Sequence, residues 1–386
     1  MKRASYCAVF TAILACGIYL AQTGAASNNS NASVATRQAP APGAPAPQAG
    51  RGGFGGPIEL GPDDKPAFPD PPAGFNVARE NIPHGQLTHI QYDSKTLGTR
   101  RRLRVYTPPG YSASRKYPVL YLLHGMGWND LEWTEVRHAE VVIDNLLADG
   151  RIQPMIMVFP NGDSSMTVAQ IEAAGGGPWM GRGAGGERGG PAPGAGAGAR
   201  AGADVAAGGR PAQSGTGAPG GATAAAGARG AGAGGARGGA GGMAMDNWLT
   251  PFENDLIKDI IPFVESRYSV YSDPDHRALA GLSMGGGQAL NIGLAHPETF
   301  AWVGGFSSAP DTKAPPDLVP DPAVPKRLKL IWLACGNKDG LIRISQGVHA
   351  YLKENGVPHV WHVDGNAHDT IEWQNNLYLF GQRIFR

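Results

Sequence analysis

The chain has 386 residues, 58 of them glycine and 32 proline, and a formal net charge of +1 at pH 7. That balance, with no basic stripe interleaved with aromatics, argues against nucleic acid as a partner. The glycines and prolines are concentrated in two blocks, which leaves roughly 300 residues to build a core.

Met1, Lys2 and Arg3 precede an apolar run from about Tyr6 to Leu20, and small residues follow at Gly24 to Ala26. A short positive head, an apolar stretch too short to span a bilayer comfortably and a small-residue cleavage site read as a secretory signal over 1–26. The expectation is a secreted or periplasmic protein with no stable membrane insertion after cleavage. Ile13 to Gly17 also resembles a lipobox, which would anchor the chain through Cys16. The continuing apolar residues Ile18, Tyr19 and Leu20 suit an ordinary signal better. Cleavage then leaves Cys335 alone at the end of the apolar run from Leu330 to Ala334, so a buried, inert thiol and no intramolecular disulfide are expected.

Residues 27–75 are assigned to a Pro/Ala/Gly-rich linker, and 76–386 to the folded domain. Up to about residue 57 the linker has almost no large apolar side chain to bury. From Gln86 the pattern turns to strands. Leu87 to Tyr92, a turn through Gly98 and Arg102 to Thr107 read as an antiparallel hairpin, with Leu103 and Val105 alternating against Arg102 and Arg104. Tyr117 to Leu123 is a buried strand, Val141 to Leu147 a short helix and Met155 to Phe159 another strand. That order indicates a parallel sheet covered on both faces.

A second low-complexity block interrupts the domain at about 173–243. Over 181–242 it carries six Arg against one Glu and one Asp, net positive by four, and it cannot build a core. It follows a strand whose carboxyl end faces the ligand side of such sheets, so it should emerge on that side. Spaced arginines on a Gly/Ala tether read as a solubilising device. A helix then opens at Thr250, Pro251, Phe252 and Glu253, with Phe252, Leu256, Ile257, Ile260, Ile261 and Val264 on one face and Pro262 expected to kink it.

Small and aliphatic residues from Ala278 lead into Gly281, Leu282, Ser283, Met284 and Gly285, a G-x-S-x-G match followed by a helical pattern through Ala295. A sharp strand-to-helix turn lifts such a serine clear of its neighbours, and the flanking glycines let backbones pass closely. Ser283 is therefore the candidate nucleophile. Strands follow at Trp302 to Phe306, Leu328 to Cys335 and His359 to Val363, with helices at Ile344 to Glu354 and Thr370 to about Phe385.

A serine nucleophile needs an imidazole to take its proton and a carboxylate to hold that imidazole, in the chain order Ser, acid, His for this kind of turn. Of the histidines after Ser283, His296 precedes a proline at a helix end, His349 is helical, and His359 and His362 belong to a strand. Only His368 occupies a loop beyond a strand's carboxyl end, which makes it the candidate base. Asp339, in the loop after the strand ending at Cys335, is the candidate acid, with Asp311 as fallback. Asp364 and Asp369 lie too close to His368 in sequence, and Asp369 is expected to cap the last helix with Glu372. The oxyanion donors are expected at the backbone N–H of Met284 and of Met126, the latter in the His124 to Gly127 turn, where His124 is read as structural.

The segments Arg104 to Tyr111 (RVYTPPGY), Tyr117 to Gly125 (YPVLYLLHG), Phe252 to Ile257 (FENDLI) and Gly281 to Gln288 (GLSMGGGQ) together resemble the esterase D-like esterases, in particular carbohydrate esterase family 1. The resemblance implies an α/β-hydrolase fold, with a mostly parallel central sheet, helices on both faces and the N-terminal antiparallel hairpin. It also implies a Ser-Asp-His triad, which falls on Ser283, Asp339 and His368. The expected activity is that of a secreted serine esterase removing feruloyl or acetyl groups from plant cell-wall xylan, with no cofactor and no metal. Acyl transfer on the same scaffold and a non-catalytic carbohydrate-binding role are the alternatives. The Gly/Ala-rich insert is foreign to the family pattern.

Overall fold

The computed structural model describes residues 57–173 and 250–386. Residues 1–56 and 174–249, which contain the expected signal segment, most of the expected linker and nearly all of the insert expected at about 173–243, lie outside the described residues. Eight strands form one sheet among them: β1 (Gln86–Ser94), β2 (Thr99–Thr107), β3 (Val119–Leu123), β4 (Ile156–Pro160), β5 (Arg277–Leu282), β6 (Trp302–Phe306), β7 (Leu330–Gly336) and β8 (Val360–Asp364). Their order is β1-β2-β4-β3-β5-β6-β7-β8. β2 runs antiparallel to β1 and to β4, and the strands from β4 to β8 are mutually parallel. The helices are α1 (Ala139–Ala148), α2 (Val168–Ala173), α3 (Ile261–Arg267), α4 (Met284–Gly293), α5 (Pro315–Leu318), α6 (Ile342–Glu354) and α7 (Thr370–Gly381).

The period-2 alternation of the central strands divides the core in two. Val119, Tyr121 and Leu123 of β3 join a cluster with Val264, Leu290, Val348 and Leu352, so α3, α4 and α6 cover that face. Leu120 and Leu122 point the other way, into a cluster with Val142, Leu146, Leu377 and Phe380, so α1 and α7 cover the second face. Burial on both faces is why these strands read as continuous apolar runs. After β3 the chain crosses to β4 on one side, then returns to β5 on the other, where Leu123 pairs with Gly281. The carboxyl ends of β3 and β5 thus meet where the strand order reverses, the place where open α/β sheets form their crevice.

Two local features depart from the sequence pattern. On β2, the arginines that alternate with Leu103 and Val105 are buried rather than solvated: Arg102 Nε lies 2.9 Å from Asp130, and Arg104 Nη1 lies 2.5 Å from Glu135 Oε1. Loops from elsewhere in the chain cover that face, which alternation alone does not reveal. Before α3, Leu256–Ile260 forms a π-helical turn in which Ile261 N–H donates to Leu256 O. Pro262 lacks an N–H and its ring crowds the preceding turn, so the hydrogen-bond ladder widens by one residue ahead of it.

The linker assignment ran to residue 75, yet the described part of that stretch is packed. Phe68 stacks on Trp332 at 5.5 Å between centroids, the Arg383 guanidinium lies 3.5 Å from the Phe68 ring centre and 5.5 Å from that of Trp332, and Ala67 N–H donates to His362 Nδ1 at 3.1 Å. Phe75 meets Tyr378 edge to face at 5.2 Å. Phe68→Ala should therefore cost about 1–2 kcal/mol and lower the melting temperature by several degrees. A melting temperature unchanged to within a degree would show that residues 57–75 contribute nothing to the fold.

Candidate active site

The turn around Ser283 is fixed by close backbone approaches. Ser283 has φ 53° and ψ −118°, a conformation that costs a side chain of order 1–3 kcal/mol and persists only where its surroundings impose it. Its N–H donates to Phe306 O at 2.8 Å, and its carbonyl accepts from Gly287 N and from Ala309 N at 3.1 and 3.0 Å. A Cβ at Gly281 would overlap the Gly285 carbonyl, and one at Gly285 would lie 2.5 Å from Leu123 O and 2.6 Å from His124 O. Both glycines of the motif are thus required by contact.

The loops after β7 and β8 are joined edge to edge. Asn337 N–H donates to Asp364 O and Lys338 N–H to Asn366 O, both at 2.9 Å. Gly336 has no room for a side chain beside the Asn366 carbonyl. Asp364 in turn accepts from Asn366 N at 2.9 Å and so shapes the loop that carries His368. The result is a continuous line: Asp339 Oδ2 lies 2.8 Å from His368 Nδ1, and His368 Nε2 lies 3.0 Å from Ser283 Oγ. The carboxylate can only accept, so Nδ1 carries the hydrogen and a neutral imidazole leaves Nε2 free to accept from the serine hydroxyl.

Asp339 has no exposed side-chain surface. Burial pushes its carboxyl up, but the hydrogen bond and charge of His368, the Leu341 N–H and the Ser307 hydroxyl outweigh that and hold it below the ordinary carboxylate value. It is the ionised partner of the line. Glu372 shows the opposite balance. Its side chain is fully buried, it accepts from Asn376 Nδ2 at 3.0 Å, and burial followed by the charges of Asp364 and Asp339 pushes it well above the usual range. The sequence expectation paired Glu372 with Asp369 as a cap. Asp369 does cap α7, accepting from Ile371 N and Glu372 N at 3.1 Å, but the Glu372 side chain is turned into the core.

The other candidates fall away from this line. Asp311 is buried against α4, where neither carboxyl oxygen has a partner, and no hydrogen bond joins it to His368. His296 pairs with Glu253 and Glu298, His349 with His359, and His362 with Ala67. His124 is buried and accepts from Gly162 N at 2.8 Å, tying the ends of β3 and β4 together. Met284 opens α4, so its N–H belongs to the first turn, where no intrahelical carbonyl is available. Met126 is 42% exposed in the turn after β3, and a Cβ on its neighbour Gly125 would sit 3.6 Å from Ser283 Cβ, which places that turn against the serine. Cys335 is buried, and burial raises its thiol well above the ordinary value. Cys16 lies outside the described residues. Glu132, Arg137 and Trp373, which surround the site, carry no periodicity or motif that singles them out in the sequence.

A strand-to-helix turn bearing a positive-φ serine at the strand-order reversal of a mostly parallel sheet defines an α/β-hydrolase. The chain belongs to the esterase family described as "Putative esterase", which matches residues 94–180 and 220–377. It is 27% identical over 318 residues, 81% of its own length, to an endo-1,4-beta-xylanase/feruloyl esterase of Xylanibacter ruminicola. It spans only 33% of that relative. In fold it is similar to a CE1 ferulic acid esterase of Anaeromyces mucronatus solved with ferulic acid, with a TM-score of 0.56 at 21% identity, covering 82% of this chain and 96% of that one. A variant of the feruloyl esterase module of Clostridium thermocellum, solved with sinapinate, gives a TM-score of 0.55 at 16% identity over 85% and 97% of the two chains.

The buried Asp311 generates a prediction of its own. Burial raises its carboxyl well above the ordinary value, so the folded chain keeps a proton there that the unfolded chain releases. Its contribution is fully present below the unfolded pKa and is lost as pH rises through the folded one. Asp311→Asn removes that dependence, so the variant should be more stable than the wild type at pH 8, with the gap closing as pH falls toward 4. Urea denaturation across this range measures it, and an Asn variant less stable at pH 8 than the wild type would contradict it.

Proposed function

We propose that this chain is a serine carboxylic ester hydrolase working through an acyl-enzyme on Ser283. The single observation that carries the proposal is the unbroken line from Asp339 through His368 to Ser283 Oγ in a chain of the esterase family. As Ser283 Oγ attacks the ester carbonyl, His368 Nε2 takes its proton and Asp339 stabilises the imidazolium formed. The oxyanion is held by the N–H groups of Met284 and Met126, with the positive end of α4 behind the first. His368 then passes its proton to the departing alkoxide, leaving the acyl group on Ser283. Water attacks that ester by the same route in reverse and frees the acid and the enzyme.

The substrate we propose is an acyl ester, feruloyl or acetyl, on plant cell-wall xylan. Support comes from the xylanase/feruloyl esterase relative and from the two similar structures solved with hydroxycinnamic acids. Export through the segment 1–26 completes the proposal and rests on the sequence alone.

Ser283→Ala should abolish hydrolysis of methyl ferulate, acetylated xylan and short p-nitrophenyl esters without unfolding the chain. Residual activity within about tenfold of wild type would remove Ser283 from the mechanism. Asp339→Asn should lower kcat by about 10³- to 10⁴-fold, with Asp311→Asn close to wild type; the reverse order would move the acid to Asp311. A Cβ at Gly125 would press to 2.8 Å against Leu282 Cδ1, so Gly125→Ala should displace the Met126 donor and cost about 10²- to 10³-fold in kcat. A kcat for this variant within about threefold of wild type would place the second donor elsewhere.

A further inference from the structure

We propose that Glu132 and Arg137 are positioning residues for this reaction, an ion pair that holds the oxyanion turn and the His368 loop in one register. The inference rests on the catalytic reading of Ser283, His368 and Met126 given above.

The carboxylate of Glu132 is buried and divided between two tasks. Oε2 accepts from Gly125 N–H at 2.7 Å, one residue before the proposed donor Met126. Oε1 takes Arg137 Nη2 at 2.8 Å and Nε at 3.2 Å. The rest of the guanidinium faces the histidine side of the site. Nη1 donates to the Thr370 hydroxyl, two residues past His368, and Cζ lies 4.4 Å over the Trp373 ring. Trp373 meets the His368 ring edge to face at 5.0 Å and 89°. Gln374 Nε2 closes the link with a 2.7 Å bond to the Arg137 carbonyl.

The backbone is built to align this pair. Glu132–Val136 is a π-helical turn closed by Arg137 N–H on Glu132 O at 3.0 Å. A turn closed over five residues sets side chains five apart beside each other, whereas an α-helix aligns those three or four apart. The turn is pinned to the sheet by Trp133 Nε1, which donates to Leu123 O at 2.8 Å. His138 follows directly with φ 49°, a left-handed conformation that turns the chain sharply into α1.

A buried ion pair adds little net stability compared with apolar side chains of the same shape; its best-attested use is to set registry. Here one end of the pair holds the residue before Met126, and the other holds Thr370 and Trp373, which flank His368. Catalytic groups must be placed within about half an ångström, and a shift of about 1 Å can cost on the order of 10²-fold in rate.

The test is the double variant Glu132→Gln/Arg137→Met, which leaves no lone buried charge, assayed on a p-nitrophenyl ester beside Ser283→Ala. Expected are a melting temperature within a few degrees of wild type, KM within about threefold, and kcat lowered about 10- to 100-fold. Affinity for a phosphonate transition-state analogue should fall by the same factor, while that for the product acid should be unchanged. If the double variant does not melt cooperatively, Arg137→Lys is read by the same quantities. It keeps the charge but loses the two-pronged contact and the stacking, and the same pattern at smaller size is expected. A kcat within about threefold of wild type, or losses in kcat, KM and melting temperature that move together, would reduce the pair to ordinary packing and overturn the proposal. Should Ser283→Ala keep its activity, the catalytic reading falls, and the positioning role falls with it.

Discussion

The site depends on a steric constraint, the crossing of backbones at the carboxyl ends of β3 and β5. Gly281 and Gly285 face each other across the Ser283 turn, and Gly285 also lies against the carbonyls of Leu123 and His124. Side chains at either position would force these segments apart. The strained φ of Ser283 is then held by bonds from three directions: from Phe306, Gly287 and Ala309. A strained serine on a loose loop would relax; here the sheet and α4 hold it, and the turn after β3 that carries Met126 is brought alongside by the same contact.

A second layer of the design is electrostatic. Charged groups buried around the sheet's carboxyl edge are matched one to one: Arg102 with Asp130, Arg137 with Glu132, and Asp339 with His368. Each joins segments far apart in the chain or aligns a loop that the core alone would leave to slide. Among the buried carboxyls outside this pairing are Asp311 and Glu372. Asp311 has no hydrogen-bond partner on either oxygen, and Glu372 has one unpartnered oxygen beside Asp339 and Asp364. Burial favours their neutral forms, whereas Asp339, held low by His368, is the carboxylate that faces the imidazole.

The amino-acid sequence by itself determined the layered architecture and singled out the three side chains that the fold brings into one hydrogen-bonded line. Strands buried on both faces must be continuous apolar runs, helices covering them must repeat near 3.6, and the G-x-S-x-G pattern needs its glycines for a contact that only bare Cα atoms allow. His368 was legible because it alone among the later histidines stands in a loop beyond a strand. Asp339 was legible because it follows the preceding strand at the same edge. What only the tertiary structure decided is how the polar surroundings are shared out. The arginine face of β2 alternates as a solvated face would, and nothing local shows that loops come back to cover it. Residues 57–75 read as linker because their few aromatics are isolated, yet Phe68 and Phe75 find partners some 260 and 300 residues further along. Glu132 and Arg137 sit five apart, off any helical face, and become neighbours only through a π-helical turn whose width is set by packing. Periodicity reports which side of an element meets apolar matter; it is silent on which charged groups from distant segments will meet each other, because that depends on the crossing of loops that the strand order alone brings together.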